Sequence, residues 1–138
     1  MAPEKIVRSS ETISGVFKGS VTVRNNSELT IEGAIQGSLS VESGKVIING
    51  KQQGSVNISA GSYLINNGAI EGSVNIELDA ILENLSNSKL AGSLNVSGTL
   101  NNYGSRGGTV SGAGTINDLP GSVVKQPTVI HGVSVYTW

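Results

Sequence analysis

The chain of 138 residues has no cysteine, one histidine, one phenylalanine, one tryptophan and three prolines. Without cysteine there is neither a disulfide framework nor a thiolate metal ligand. With His131 as the only histidine, a two-histidine metal site and a relay between two imidazoles are both excluded. Charged residues make up 14% and the net charge is −1, and the nine basic side chains are spread from Lys5 to Lys125 rather than gathered in a stripe. A nucleic-acid partner is therefore not expected, because phosphate binding needs clustered cations to displace counterions. No apolar run approaches the roughly 20 residues that span a bilayer, so no integral membrane contact is expected. The opening "MAPEKIVRSS" lacks the apolar core of a secretory signal, and the expected location is cytoplasmic. Aromatic residues are only 4%, which leaves Val, Ile and Leu to fill any core.

What the chain has in quantity is glycine, 19 residues in all, and a repeat. "GSVNI" occurs at 54–58 and again at 72–76, with "GSVTV" at 19–23, "GSLSV" at 37–41 and "GSLNV" at 92–96. The opening glycines stand at 19, 37, 54, 72 and 92, steps of 18, 17, 18 and 20. A second set of strands keeps a similar step: Leu29/Ile31, Val46/Ile48, Tyr63/Ile65 and Ala80/Leu82 follow one another by 17. Corners close each unit, "GVFKGS", "GAIQGS", "GKQQGS" and "GAIEGS", whose glycines are expected to adopt positive φ. Within the strands apolar residues alternate, Val21 and Val23, Val56 and Ile58, Leu94 and Val96, so one face is buried while Ser, Thr and Asn face outward.

A repeat that restores one strand in one register every 17 or 18 residues stacks each copy parallel on the last. The expected fold is all-β: a single-domain parallel β-helix, or β-solenoid, right-handed, with about 17–18 residues per coil. Residues 1–10 are expected to be an N-terminal tail or cap, 11–96 the regular coils, and 97–138 irregular C-terminal coils with a terminal strand. Pro120 and Pro127 suit a loop or cap better than an inner rung. Gln52 stands where Phe17, Ile35 and Ile70 stand in their corners, so that corner is expected to open to solvent or to mark a kink.

The sequence offers little chemistry. The hydroxyls have no partner base in any recognisable order, and "SRGG" and "SGAG" lack the lysine and hydroxyl of a phosphate loop. Glu77, Asp79 and Glu83 lie close together and read as solvated, while Glu28, Glu32, Glu42 and Glu71 build no column. No catalytic residue, cofactor or metal ligand is expected, and the chain is not expected to be an enzyme. The Ser/Thr/Asn face, with Thr22, Ser40, Asn57, Asn75 and Asn95 in its second column, reads as an external ladder.

The stretch "GAIQGSLSVESGKVIINGKQQGSVNISAGSYLINNGAIEGSVNI" (33–76) resembles the bactofilin family, in its short Val/Ile strands broken by Gly-x-Ile/Val-x-Gly corners; the likeness covers about residues 11–96. The resemblance implies a right-handed triangular β-helix that joins end to end into non-polar cytoskeletal filaments without nucleotide. The first expectation for function is thus a scaffold that self-assembles through its coil ends, with Ile13 and Phe17 at one end and Val133, Val135, Tyr136 and Trp138 at the other. The second is a soluble monomer that binds one cognate protein, as an immunity protein neutralises a toxin, with Tyr103 as an anchor. A solenoid that binds polysaccharide or ice comes third.

Overall fold

The computed structural model describes residues 4–125 and 128–135. Strands follow one another through three parallel sheets of seven strands each, and among the described residues there is no helix. The first sheet runs from Glu4–Val7 to Val110–Ser111, the second from Glu11–Ile13 to Thr115–Asp118, and the third from Val16–Phe17 to Val123–Val124. Each coil contributes one strand to each sheet and lies directly on the coil before it. The result is a β-solenoid of seven coils, over residues 4–17, 20–35, 39–52, 56–70, 74–90, 94–106 and 110–124. A separate antiparallel hairpin, Thr128–Ile130 with Val133–Val135, follows the last coil.

The first coil begins inside the stretch expected as a tail or cap. Glu4–Val7 pairs with Ser20–Val23, and Val7 is fully buried in line with Val23, Val41, Ile58, Ile76 and Val96. Regular coils were expected to stop at Val96. The ladder instead continues unbroken through Thr99–Asn102, Ser105–Arg106 and the seventh coil, where the apolar alternation that marks the strands in sequence has thinned.

The period of two holds in every inner strand: Val21, Leu39, Val56, Val74 and Leu94 form one buried column, and Ile35, Ile70 and Leu90 another. The second sheet corrects the expected step. Its inner columns are Leu29, Val46, Leu64, Leu82, Leu100 and Ile31, Ile48, Asn66, Asn84, Asn102, so Tyr63 and Ile65 face outward. The turn after Ile58 holds one residue more than the turn after Val41, with Gly61 at φ +79°, and that residue shifts the strand by one place. In a strand, a shift of one exchanges the faces.

The corner glycines are used differently from expectation. None of the glycines at 33, 37, 50, 54, 68 and 72 has positive φ. A Cβ on Gly37, Gly54 or Gly72 would overlap the carbonyl oxygen of the glycine one coil below, and Gly33, Gly50 and Gly68 form a second such column. Backbone meets backbone at both ends of the third sheet's short strands; the column through Gly37, Gly54 and Gly72 continues as glycine to Gly92 and Gly108, while buried Ser88 interrupts the other. Gln52 neither opens its corner nor leaves it: it is fully buried, and its Nε2 donates to the carbonyls of Gly37 (2.8 Å) and Gly54 (3.2 Å) while Oε1 has no partner.

Val56→Asp or Ile58→Asp places an unpaired charge in a dry column on which adjacent coils depend, and each is expected to cost about 3–5 kcal/mol or more, enough to unfold much of the chain. Asn75→Ser, on the outer ladder, is expected to cost no more than about 1 kcal/mol. Urea titration of the three variants checks both statements; a wild-type midpoint for either aspartate variant contradicts the inward assignment.

Candidate interaction surfaces

Charged residues enter some of the inner columns near both mouths of the solenoid. Lys5 occupies the column of Val21 and Glu11 that of Leu29, and they form an ion pair across the first coil (Nζ to Oε2 3.1 Å). At the other end Arg106 continues the column of Leu90 and Asp118 that of Asn102. Their bond is bidentate, Nε to Oδ1 2.9 Å and Nη2 to Oδ2 2.8 Å. A charged pair lying over the last aliphatic residues keeps water contact for itself and takes it from the core below.

The pair at the C-terminal mouth also terminates a buried chain of amides. Asn66 Nδ2 donates to Asn84 Oδ1 (2.8 Å), Asn84 to Asn102 (2.9 Å), and Asn102 to Asp118 Oδ1 (2.9 Å). The second N–H of Asn66 and Asn84 goes to the carbonyls of Lys89 and Ser105, while Gly68 and Gly104 donate their backbone N–H to Asn66 and Asn102. All the donors point one way along the axis, and a carboxylate, which only accepts, is the group that can end such a run. The Arg106 guanidinium and then Asn102 hold the Asp118 carboxyl below its ordinary range, against partial burial that works the other way.

Beside these charges, the end coils expose aliphatic residues: Ile6 and Val16 on the first coil, Val110, Val123 and Val124 on the seventh. Of the residues expected at the ends, Ile13 is buried in the first coil and Phe17 is partly buried against the core. Val133 is exposed on the terminal hairpin, and Val135 lies in its second strand. Tyr136 and Trp138 lie outside the described residues.

Tyr103 is exposed on the flank rather than at an end, and the second sheet's outer face gives it company that the 17-residue step concealed. Ile47, Ile65 and Glu83 stack in one outward column. Tyr63 lies one coil before Glu83 and two residues toward the strand start; Tyr103 lies one coil after and two residues toward the strand end. Glu83 therefore sits at the middle of a diagonal between two tyrosines, with Ile81 on its own strand. Burial, then the hydrogen bond to Glu83 and its charge, and then Tyr103 push the Tyr63 phenol up to about 12. The Lys45 ammonium lies 6.0 Å from the centre of the Tyr63 ring. Tyr63 and Ile65 were missed because they were read as core; the signal that reveals them is the Asn66, Asn84, Asn102 series at steps of 18.

The outer face of the first sheet is a shallow trough of about 450 Å³ lined by Ser55, Asn57, Ser73, Asn75, Ser93 and Asn95, rather than a plane. Its amides are engaged with one another, Asn75 with Asn57 (2.6 Å) and Asn95 with Asn75 (2.9 Å). The three close acids do not converge: Glu77 accepts from Asn57, Asp79 turns the chain at φ +66°, and Glu83 is on the flank. Among the described residues no group of three or more His, Asp or Glu side chains could hold a metal ion, and no helix is long and apolar enough to cross a membrane. No family model, curated protein or solved structure matches the chain.

Two titrations follow from these environments. Asp118 has a lower pKa folded than unfolded, so its stabilisation is present above about pH 4 and is lost as pH falls through the folded value. Asp118→Asn is expected to melt below wild type at neutral pH, with the gap closing in acid. Tyr63 is expected to ionise near pH 12, above the ordinary phenol range, and Glu83→Gln to bring it down. Absorbance of tyrosinate against pH, with circular dichroism to follow the fold, reads this directly.

Proposed function

We propose that the chain is a non-catalytic scaffold that assembles end to end, the seventh coil of one copy receiving the first coil of the next. The observation that carries this reading is where the exposed aliphatic residues lie. Of nine large apolar side chains exposed among the described residues, five are on the two end coils, which also present the unpaired edges of all three sheets. Such edges are templates for another strand. Carried across a joint in the register that relates internal coils, the third sheet would set Val123 over Val16 and Val124 over Phe17, aliphatic on apolar in both columns. The likeness of the corners to bactofilins supports assembly through coil ends as well. The joint proposed here is head to tail, and so differs from the non-polar filament that the likeness implies.

The charged mouths set the strength of the joint. Lys5 and Glu11 would be covered by Val110 and Ile116 of the preceding copy, and the desolvation of that pair opposes the gain from the aliphatic contacts. A joint of this kind is weaker than an internal step and reversible. A second reading, a monomer that binds one cognate protein, is favoured by the tyrosines on the second sheet.

Sedimentation velocity across a wide concentration range separates the two. An open series of oligomers is expected, abolished by Val16→Asp and displaced toward longer species by Lys5→Met with Glu11→Leu. A single monomer at every concentration sinks the assembly reading. Because the native chain has no cysteine, the polarity is testable by oxidation: adjacent strands lie about 4.8 Å apart, within disulfide reach. A mixture of Val16→Cys and Val123→Cys chains is expected to cross-link with each other, and neither with itself.

A further inference from the structure

The second sheet's outer face carries a carboxylate set beside aliphatic and aromatic side chains. Glu83 is half-buried, accepts a hydrogen bond from Tyr63, and forms no ion pair among the described residues. Toward the first coil its surroundings are apolar, with Ile65 and Ile47 in its own column and Ile81 on its strand; tyrosines lie on either side along the diagonal, and Asn101 follows it on the next coil. The other two outer faces are unlike it. The first sheet offers hydrogen-bonded Ser and Asn, and the third alternates Lys51, Ala69 and Lys89. Tyr63 and Tyr103 are both on this one flank.

We propose that this flank is a docking surface for a partner protein that presents an arginine or lysine side chain among aliphatic residues, with Glu83 as the counter-charge and Tyr63 and Tyr103 as the aromatic flanks of the site. Charge complementarity selects the occupant. A carboxylate set in an apolar patch loses much of its hydration when the patch is covered, so a partner without a cation leaves it stranded, whereas a basic side chain restores its pairing. The tyrosines suit the same occupant, because their ring faces attract cations. Lys45 over Tyr63 is an example already within the chain. Tyrosine is also among the residue types that most often anchor protein interfaces, combining a large apolar body with few rotatable bonds. The repeated strands beneath hold these groups at fixed spacings, so the site is formed before a partner arrives and its ordering costs little on binding. This inference stands apart from end-to-end assembly, since the flank is present on a monomer and along a stack alike.

The test uses the full chain in solution and a defined probe, acetyl-Leu-Arg-Leu-amide, with the same peptide carrying uncharged citrulline in place of arginine as its control. Methyl and aromatic NMR signals of Ile65, Ile81, Tyr63 and Tyr103 are expected to shift saturably with the arginine peptide. Citrulline, Glu83→Gln or Tyr103→Ala is each expected to weaken binding about tenfold or more. Glu28→Gln, at an exposed acid on the same sheet, is expected to leave it unchanged. Circular dichroism establishes that each variant is folded. Equal shifts with the citrulline peptide, binding unaffected by Glu83→Gln, or no saturable shift at these residues overturns the proposal. Shifts at the same residues that grow with protein concentration alone assign the flank to a second copy of the chain and overturn it too.

Discussion

Contact of backbone with backbone along the glycine column at 37, 54, 72, 92 and 108 is the constraint on which the solenoid rests. Where Gly54 lies on Gly37 and Gly72 on Gly54, a side chain would occupy the space of a carbonyl oxygen, so the coils close to strand spacing only if glycine recurs at that corner. This condition explains why the corners tolerate Val-Phe-Lys, Ala-Ile-Gln, Lys-Gln-Gln and Ala-Ile-Glu between their glycines while the glycines themselves return. It also explains why the period wanders between 16 and 20 without loss of register. The residues added or removed fall in the turns between strands, where Asn25, Asn26, Asp79 and Asn87 take the left-handed conformation. Asparagine and aspartate accept that conformation more readily than other side chains.

Once the coils stack, each inner position sees almost only the same position above and below, and like residues pile on like. Aliphatic columns need nothing further. Polar residues in the same places must satisfy themselves along the axis, and the Asn66, Asn84, Asn102 run does so because an amide donates and accepts at the spacing of strands. A lone polar residue cannot share in such a ladder. Gln52, between Ile35 and Ile70, reaches two backbone carbonyls with its nitrogen and leaves its oxygen unpartnered. A column also has to end. Lys5 and Glu11 end two columns as an ion pair at the first coil, and the Asp118 carboxylate, paired with Arg106, closes the amide run because it has no proton to pass on.

The fold was largely legible in the sequence because its two main determinants, recurring glycine and alternating Val, Ile and Leu, are visible as letters at a period. The five GS strands of the first sheet could be placed residue by residue on that basis, whereas the strands of the third sheet read only as corners. The second sheet could not be placed beyond Ile48, since the turn after Ile58 took in one extra residue and the inward partner of Leu64 is the polar Asn66. A pattern search rewards apolar pairs, so Tyr63/Ile65 looked better than Leu64/Asn66 although burial chose the latter. That single exchange of faces hid the flank. Tyr103 was legible as an exposed aromatic, but its relation to Glu83 and Tyr63 depends on register across three coils and is not a property of any local stretch. The end coils were hidden for a different reason. Lys5, Glu11, Arg106 and Asp118 look like surface charge in sequence, and only the stacking shows them at positions that are aliphatic elsewhere.

A rigid stack has a consequence for the flank that neither surface has alone. Seven coils at about 4.8 Å advance the axis by roughly 34 Å, so head-to-tail joints in the internal register would repeat the Tyr63, Glu83, Tyr103 site at about that interval. Individually such a site, small in area and with one charge at its centre, binds weakly. A partner that is itself repeated, or anchored in an array, meets a row of sites already at fixed separation, and each contact after the first is made at high effective concentration. The proposed joints and flank contacts would then reinforce each other, because a bound array favours the assembled form that presents it. The charged mouths matter to this balance. By keeping the proposed joint reversible, they would leave the length of a stack to be decided by what binds its side.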